Sequence, residues 1–356
     1  MKTREALLNS FKGTQLIIPN LYEIFADWPH GEVNPNYPRL IQASAEWLES
    51  VVDNKRKLNA LQTSDFAFFA ATWWPKAGYE ELKVLLFLAI WLFIWDDEVD
   101  EPAGAYSGDL ASAEQYRTQT IDFVLECLGL RSSSRGVPVE PANKIITSFR
   151  DIGEQLAKDF SRDQRQRFMG EMIRFLEQTK REQQTRLSGN VPGLEEYWSY
   201  RMGTSAVGVI VAALEYAMRV RLGESVVSRD GRIQTITAET IRNIVIVNDL
   251  LSLKKEIAKK CVESMIPISC AHGMSAQSAV NEAIAQLKAS RDRFTVAADA
   301  LRASIQQDPI EYKHVSEWIH GCQNLCMGNV TWSLATGRYG LSKDIVPNDG
   351  SIQIVL

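Results

Sequence analysis

The sequence predicts an all-α protein that folds as a single domain. Several long stretches carry apolar residues at helical spacing, and no region shows the sustained alternation typical of a strand. No linker divides the chain into two cores, and 45% hydrophobic residues are enough for a sizeable one. We therefore expect residues 1–356 to form one helical domain.

Composition and charge argue against several classes of protein. The formal net charge of −5 provides no basic field for nucleic acid. The longest apolar run, from Val84 to Trp95, is too short to span a bilayer, and the first residues begin no signal peptide. The cysteines are odd in number and scattered, which is typical of reduced thiols. We expect a cytoplasmic protein without a transmembrane segment.

Loops and helices follow one another along the N-terminal half. Four prolines between positions 13 and 40 exclude a long helix, so residues 1–40 are expected to be an N-terminal loop segment. Ser64 or Asp65 is suited to cap a short helix. The helices predicted in this half span residues 40–52, 64–72, 80–97 and 111–129.

The C-terminal half is predicted to be helical up to about residue 337. A Ser-, Gly- and Pro-rich loop is expected at 131–141 and a second loop at 222–230. After Tyr339, residues 340–356 are expected to be a flexible tail. The predicted helices span residues 142–158, 161–187, 194–218 with a bend around Gly203 to Gly208, 238–259, 275–301 and 310–337.

An acidic stretch closes the apolar run of the third predicted helix. It places four carboxylates within five residues, and Asp96 and Asp100 share a face at spacing i, i+4. Carboxylates at a helix C-terminus repel one another and oppose the helix dipole. A bound cation would offset that cost, and oxygen ligands suit Mg²⁺ above other ions. The alternative for this short pattern taken alone is a solvated acidic helix end.

A second polar stretch weakens that alternative. Asn248, Ser252 and Glu256 are spaced i, i+4 and i+8, so they drift by only about 40° per step around a helix. All three side chains offer hard oxygen ligands. Apolar residues surround them in sequence, which predicts a partly buried helix. A polar surface stripe remains the alternative, and a complete ligand set on one face makes it weak.

Together the two stretches resemble the motifs of class I terpene synthases of the fungal or bacterial, single α-domain type. Asp96-Asp97-Glu98-Val99-Asp100 matches the aspartate-rich DDxxD motif of that family, and Asn248 to Glu256 matches its (N/D)DxxSxxxE motif. Arg338-Tyr339 resembles its RY pair. The resemblance covers most of the chain. It implies the class I terpenoid synthase fold, with antiparallel helices around a central apolar cavity.

The resemblance also implies a cofactor and a substrate. Three Mg²⁺ ions and an isoprenyl diphosphate are expected between the two motifs, in a monomer or a homodimer. The implied catalytic residues are Asp96, Asn248, Ser252 and Glu256, and the implied metal ligands are these four and Asp100. In the family, the residue at the Asp100 position is either a ligand or only an ordering group. Asp97 would orient an arginine. Diphosphate binding is assigned to Arg201, Lys255, Arg338 and Tyr339.

Two of these assignments have competitors nearby. Arg201 is preferred as the diphosphate sensor because it precedes Asn248 by 47 residues, close to the family spacing, and the competing arginines are Arg174, Arg181 and Arg186. A surface pairing with Glu195 or Glu196 is the alternative for Arg201. Lys255 competes with Lys254, Lys259 and Lys260. The family's linker and effector positions fall on Thr204 and Ser205.

Aromatic residues are expected to line the cavity, because ring faces stabilise cations. The candidates are Phe69, Trp73, Trp91, Phe93 and Trp332, although plain core packing is the more common role of such residues. Trp332 precedes Tyr339 by seven residues, so both would face one cavity if the helix continued that far. Phe93 lies one turn before Asp97.

The function that the resemblance implies is cyclisation of farnesyl diphosphate to a sesquiterpene. Geranyl and geranylgeranyl diphosphates are the alternative substrates of the same chemistry. A chain-elongating prenyl transferase would carry two DDxxD motifs, whereas the second motif here is of the Asn/Ser/Glu type. A non-catalytic helical isoprenoid-binding protein is the alternative from another class.

Overall fold

Helices make up most of the computed structural model, which describes residues 3–131 and 140–356. In the N-terminal half the elements are α1 (Arg4–Phe11), β1 (Gln15–Ile18), α2 (Leu21–Ile24), α3 (Tyr37–Val51), α4 (Lys55–Gln62), α5 (Phe66–Trp73), α6 (Tyr79–Asp97), α7 (Leu110–Cys127), α8 (Lys144–Thr147) and α9 (Arg150–Asp159). They are followed by α10 (Arg162–Leu187), α11 (Leu194–Thr204), α12 (Val207–Ala212), α13 (Leu214–Met218), α14 (Glu224–Arg229), α15 (Gly231–Leu251), α16 (Leu253–Ala258), α17 (Met265–Ala271), α18 (Ala276–Ile305), α19 (Pro309–Ala335) and β2 (Ile352–Val355).

The helix α6 runs through the core. It is apolar on nearly every face and lies against α3, α5 and α9, so burial stabilises it from several sides. Glu80 and Glu81 in its first turn face the positive end of the helix dipole. At its other end α6 carries Asp96 and Asp97 to the surface of a cavity. Burial of the apolar part of α6 thus fixes the position of its acidic C-terminal end.

The second motif lies on α15, which packs against α18 and α19. In turn, α19 crosses α5 at Gly328. A β-carbon at this glycine would lie 2.6 Å from the backbone oxygen of Thr72 and 2.8 Å from Cα of Trp73. The crossing therefore requires a residue without a side chain. It brings the cavity-lining rings of α5 and α19 together.

Most predicted helices are present with similar bounds. The bend predicted in the 194–218 stretch is confirmed, because Ala206 adopts a left-handed backbone (φ 57°) between α11 and α12. The stretch 142–158 is instead two helices, α8 and α9, and the predicted loop at 222–230 contains α14. The helices α1, α2, α4 and α17 were not predicted, and α1 and α2 contradict the loop predicted over residues 1–40. The loop predicted at 131–141 lies largely outside the described residues.

The two ends of the described chain pair with each other. Strands β1 and β2 are antiparallel, with Gln15 opposite Val355 and Ile18 opposite Ile352. Gln277 of α18 covers the outer edge of β1, because its amide bonds both the N–H and the C=O of Ile17 at 2.9 Å. The prediction of an N-terminal loop segment and a flexible C-terminal tail missed these two strands. Each offers only two buried side chains, too few for a visible alternation.

No membrane-spanning segment is found among the helices in residues 3–131 and 140–356, since none combines the necessary length with enough apolar character.

Candidate active site

One cavity brings the predicted site residues together. It lies between α5, α6, α10, α11, α12, α15 and α19, and one end is polar while the other is apolar. All of the predicted catalytic, metal-binding, diphosphate-binding and cavity-lining residues of the preferred assignment line it: Phe69, Trp73, Phe93, Asp96, Asp100, Arg201, Asn248, Ser252, Lys255, Glu256, Trp332, Arg338 and Tyr339.

The acidic end of α6 faces the polar end of this cavity. Removal from bulk water raises the pKa of Asp96 well above its ordinary value, and the nearby charges of Asp100 and Glu182 raise it further. The pKa of Asp100 is raised too, again by burial, although the Arg186 and Arg201 guanidiniums oppose the shift. Burial is the largest cause of both shifts, and the carboxylates of Asp96, Asp100 and Glu182 lie close enough together that an additional cation would be bound favourably.

The second motif straddles a break in its helix. Ser252 separates α15 from α16, yet its N–H still donates to the Asn248 carbonyl at 2.8 Å, and the Glu256 N–H donates to the Ser252 carbonyl at 2.9 Å. The Ser252 hydroxyl donates to Glu256 Oε1 at 2.6 Å. The predicted one-sided arrangement of Asn248, Ser252 and Glu256 is thus present despite the break.

The chemistry of these donors fits a hard divalent cation. Asp96, Asp100, Asn248, Ser252 and Glu256 present oxygen ligands to the same cavity. Within the described ranges, no three His, Cys, Asp or Glu side chains are placed to hold a metal ion by themselves. Mg²⁺ commonly takes only one or two carboxylates and completes its shell with water and substrate phosphate. The residues fit that mode of binding better than a closed protein cage.

Arg201 lies next to the second motif rather than on the surface. Its Nη2 donates to Asn248 Oδ1 at 2.9 Å and lies 3.8 Å from Asp249 Oδ1. Pairing with Glu195 or Glu196 is therefore not the arrangement found. Among the competing arginines, Arg174 and Arg181 are exposed on α10.

The remaining competitor, Arg186, lines the cavity but is turned to the loop after α6. Its Nη2 donates to the carbonyls of Val99 and Ser107. Thr204 and Ser205, which were matched to the family's linker and effector positions, also line the cavity beside the left-handed Ala206.

Arg338 and Tyr339 close the polar end from the other side. The Arg338 guanidinium lies 3.6 Å from Asp97 Oδ1 and 5.1 Å from the centre of the Phe93 ring. The Tyr339 hydroxyl accepts a hydrogen bond from Asn248 Nδ2 at 2.8 Å. Asp97 therefore pairs with an arginine, as expected, and Arg338 and Asn248 tie the C-terminal segment to both motifs.

The lysines in and after the second motif point in different directions, and only some of them reach the cavity. Lys254 pairs with Asp344 in the tail at 2.6 Å and does not line the cavity. Lys255 lines the cavity, and burial together with the neighbouring Arg338 lowers its pKa. Lys259 also reaches the polar end and binds Glu101 at 2.6 Å. The geometry thus supports Lys255 over Lys254 as the diphosphate-binding residue. Lys259 also lines the cavity and remains a competitor.

Four aromatic rings form much of the apolar wall. Phe69 stacks on Trp73 with ring centres 4.1 Å apart and meets Trp332 edge-on at 5.1 Å. The Trp332 indole donates to the Ser64 carbonyl at 2.8 Å, which fixes the ring. Phe93 lies 5.9 Å from Trp332. Water-excluding walls of this kind suit a hydrocarbon substrate.

Of the aromatic candidates, Trp91 takes the alternative role of core packing, and the contact between Trp332 and Tyr339 arises in another way than helical spacing. Trp91 does not line the cavity; it packs on Phe149 and donates to the Ile145 carbonyl. Trp332 and Tyr339 do meet, with ring centres 5.6 Å apart, but not by helical spacing, because α19 ends at Ala335. A turn after the helix brings Tyr339 back to the cavity.

The cavity also contains charged residues that sequence reasoning missed. Glu182 on α10 lines it, and burial together with Asp100 raises its pKa to about 7. Glu263, which follows the second motif, lines it and pairs with Arg4 of α1. Glu101 lines it beside Lys255 and Lys259. Of these, only Glu101 had a signal in the sequence, its position directly after the acidic motif.

Known proteins share this fold and these motifs. The model of the family "Terpene synthase family 2, C-terminal metal binding" matches residues 88–293. The sesquiterpene cyclase hepA of Aspergillus oryzae is 33% identical over 99% of this chain and 96% of its own length. The terpene cyclase braA of Annulohypoxylon truncatum is 25% identical over 94% of this chain and 89% of its own. The crystal structure of an α-eudesmol synthase superposes with a TM-score of 0.75 at 20% identity, covering 87% of this chain and 99% of that one.

The architecture is the class I terpenoid synthase fold, as the sequence predicted. The chain belongs to the terpene synthase family, which confirms the resemblance on which the site was predicted. Membership implies divalent metal binding and a prenyl diphosphate substrate.

Proposed function

We propose that this enzyme ionises farnesyl diphosphate in the presence of Mg²⁺ and cyclises it to a sesquiterpene hydrocarbon or alcohol, releasing diphosphate. One observation carries the proposal. Two oxygen-donor motifs and the cations Arg201, Lys255 and Arg338 meet at one end of a cavity whose other end is aromatic. That division matches an ester with a highly charged head and a hydrocarbon tail.

Each polar residue then has a role at the charged end. Asp96 and Asp100 on one side, and Asn248, Ser252 and Glu256 on the other, hold the Mg²⁺ ions, three of them in our proposal. When bound, the ions neutralise the leaving diphosphate. Diphosphate oxygens accept hydrogen bonds from Arg201, Lys255, Arg338 and Tyr339, which favours departure of the leaving group over its return.

The apolar end governs what happens after the C–O bond breaks. An allylic cation reacts with any water present, so the packed rings of Phe69, Trp73, Phe93 and Trp332 exclude water from it. Their faces stabilise positive charge through the ring quadrupole. The same walls fold the chain so that its double bonds lie near the cationic carbon. In this proposal the shape of the apolar end directs cyclisation, and the charges of the polar end drive ionisation.

The choice of farnesyl diphosphate is supported by the relative of Aspergillus oryzae, which is named a sesquiterpene cyclase and aligns along almost the whole chain. Geranyl and geranylgeranyl diphosphates would undergo the same ionisation. We further propose that residues 1–356 act as one domain. The cytoplasmic location and the monomeric or homodimeric state remain predictions.

The proposal is tested by incubating the purified protein with Mg²⁺ and, separately, each of the three diphosphates. Organic extracts are analysed by gas chromatography with mass detection. A cyclic C15 product that forms only from farnesyl diphosphate and disappears with EDTA is expected. A product from another chain length alone would overturn the substrate. Intact substrate in every reaction would favour a non-catalytic isoprenoid-binding protein.

A further inference from the structure

The loop that follows the acidic motif, residues 98–109, is held by a set of buried hydrogen bonds from α10. Gln183 Nε2 donates to the carbonyls of Tyr106 at 2.8 Å and Ser107 at 3.2 Å. Gln183 is 2% exposed and does not line the cavity. It is therefore close to the site without being able to touch a substrate.

A buried arginine fixes the orientation of that amide. Arg117 of α7 is 4% exposed; its Nη2 donates to Gln183 Oε1 at 2.7 Å, and its Nε donates to the Thr179 hydroxyl at 3.0 Å. A guanidinium only donates hydrogen bonds, and backbone carbonyls only accept them. Of the side chains that could stand between them, an amide serves both partners. The Gln183 amide therefore accepts from the buried Arg117 guanidinium with its oxygen and donates to two backbone carbonyls of loop 98–109 with its nitrogen.

The rest of the loop is built to keep one conformation. The Tyr106 ring stacks on Tyr116 with centres 4.5 Å apart, and Tyr116 stacks on Trp95 of α6 at 5.0 Å. Gly104 passes so close to α6 that a β-carbon there would lie 2.3 Å from the Asp97 carbonyl oxygen. The loop is therefore packed back onto the helix end that carries Asp96 and Asp97.

Asp100 is part of this loop and, unlike Asp96, lies beyond the end of α6. The side chain lies in the cavity, where 47% of its surface remains accessible to solvent, and its Oδ1 is 3.6 Å from Arg186 Nε, too far for a hydrogen bond. Its position depends on the backbone around it, including the Val99 carbonyl, which Arg186 holds at 2.8 Å. The Asp100 N–H also donates to the Asp96 carbonyl at 2.9 Å, and without the bonds from Gln183 this bond and Arg186 alone would keep Asp100 beside Asp96.

From these contacts we propose that Gln183, oriented by Arg117, is a positioning residue that fixes loop 98–109 and thereby places Asp100 for binding of Mg²⁺ and diphosphate. The inference rests on the proposed function in taking Asp100 as a metal ligand. If Gln183 has this role, metal affinity depends on the buried face of α10 as well as on the two motifs.

Gln183→Glu is the sharpest test. The glutamate retains an acceptor for Arg117, so the buried cation stays paired, but it loses both donors to the loop and faces two carbonyl oxygens instead. Gln184→Glu is the matched control, because it makes the same change one residue away at an exposed position. Gln183→Met removes the donors without adding charge, and it serves if the glutamate variant does not fold.

Two measurements need no turnover. Hydrogen exchange of the backbone amides in loop 98–109 should accelerate in Gln183→Glu while α15 and α19 keep their protection. Calorimetric binding of Mg²⁺ with inorganic pyrophosphate should weaken about tenfold, the size expected for two lost hydrogen bonds. In the activity assay, the Mg²⁺ concentration for half-maximal rate should rise by a similar factor. Gln184→Glu should match the wild type in all three.

The outcomes separate the two proposals. Unchanged loop exchange and unchanged Mg²⁺ binding in a folded Gln183 variant would overturn the positioning role. Failure of both Gln183 variants to fold would overturn it as well, because Gln183 would then serve the stability of the core. If the wild type makes no product but the exchange and binding results are as expected, the proposed function fails and the positioning role stands.

Discussion

Arg201 Nη2 donates to Asn248 Oδ1 at 2.9 Å, and this bond joins a proposed diphosphate-binding residue to a proposed metal ligand. The other end of the same amide donates to the Tyr339 hydroxyl. Both polar atoms of Asn248 are thus occupied by residues assigned to the substrate. In the proposed function, a cation held by Oδ1 would compete with Arg201 for this oxygen, and a released Arg201 would be available to the diphosphate. The proposed function therefore predicts that metal binding and diphosphate binding are coupled through Asn248.

Arg201→Lys should lower kcat/KM by about tenfold or more, because a lysine cannot make the planar, two-pronged contact with phosphate. Steady-state kinetics with farnesyl diphosphate measure the effect. Arg174→Lys is the control, since Arg174 is exposed on α10. Full activity of the Arg201 variant would move the sensor role to Arg186, Arg174 or Arg181.

Asp96→Asn should reduce kcat/KM by about a hundredfold or more, because the loss of one carboxylate weakens charge neutralisation at the leaving group. Single-turnover rates at saturating Mg²⁺ measure it. Glu80→Gln, at the exposed start of the same helix, should leave the rate unchanged. Near-normal kinetics in Asp96→Asn would remove this residue from the mechanism.

Glu256→Gln should raise the Mg²⁺ requirement strongly while leaving the thermal unfolding midpoint close to that of the wild type. The amide oxygen of the glutamine can still accept from the Ser252 hydroxyl, so local structure is preserved. Activity is measured across an Mg²⁺ titration, with the exposed Glu282→Gln as control. An identical Mg²⁺ dependence in the two variants would rule out the second metal site.

Gly328→Ala should destabilise the fold by about 1–3 kcal/mol, because its β-carbon would overlap the backbone of α5. Gly170→Ala, at an exposed position of α10 with open space around it, should instead stabilise by about 0.5–1 kcal/mol. Urea unfolding of both variants measures whether each change lowers or raises the free energy of unfolding. Equal effects would show that the α5–α19 crossing has room to relax.

The sequence was most informative where ligand type and spacing coincide. Asp96 and Asp100, and Asn248, Ser252 and Glu256, could be selected because residue chemistry and helical geometry indicate the same face. Arg338 and Tyr339 were found by resemblance, and the turn that carries them into the cavity was not visible. The motifs therefore identified the site residues, but they did not predict the path of the backbone that brings those residues together.

Other features left no local signal. Glu182 and Gln183 sit side by side among many Arg, Glu and Gln residues of α10, and only the neighbouring elements give them different surroundings. One faces the cavity and the other meets Arg117 and loop 98–109. The pairing of β1 with β2 depends on residues more than three hundred positions apart, which spacing rules do not relate.

That pairing also has a consequence for how the protein opens. Only four residue pairs join β1 to β2, and each strand turns two of its four side chains to solvent. Their separation should therefore be among the cheapest partial unfolding events, while the helices remain folded. Arg338 and Tyr339 lie on the segment that leads to β2. Separation of β1 and β2 would thus loosen the segment that carries the two residues proposed to bind diphosphate.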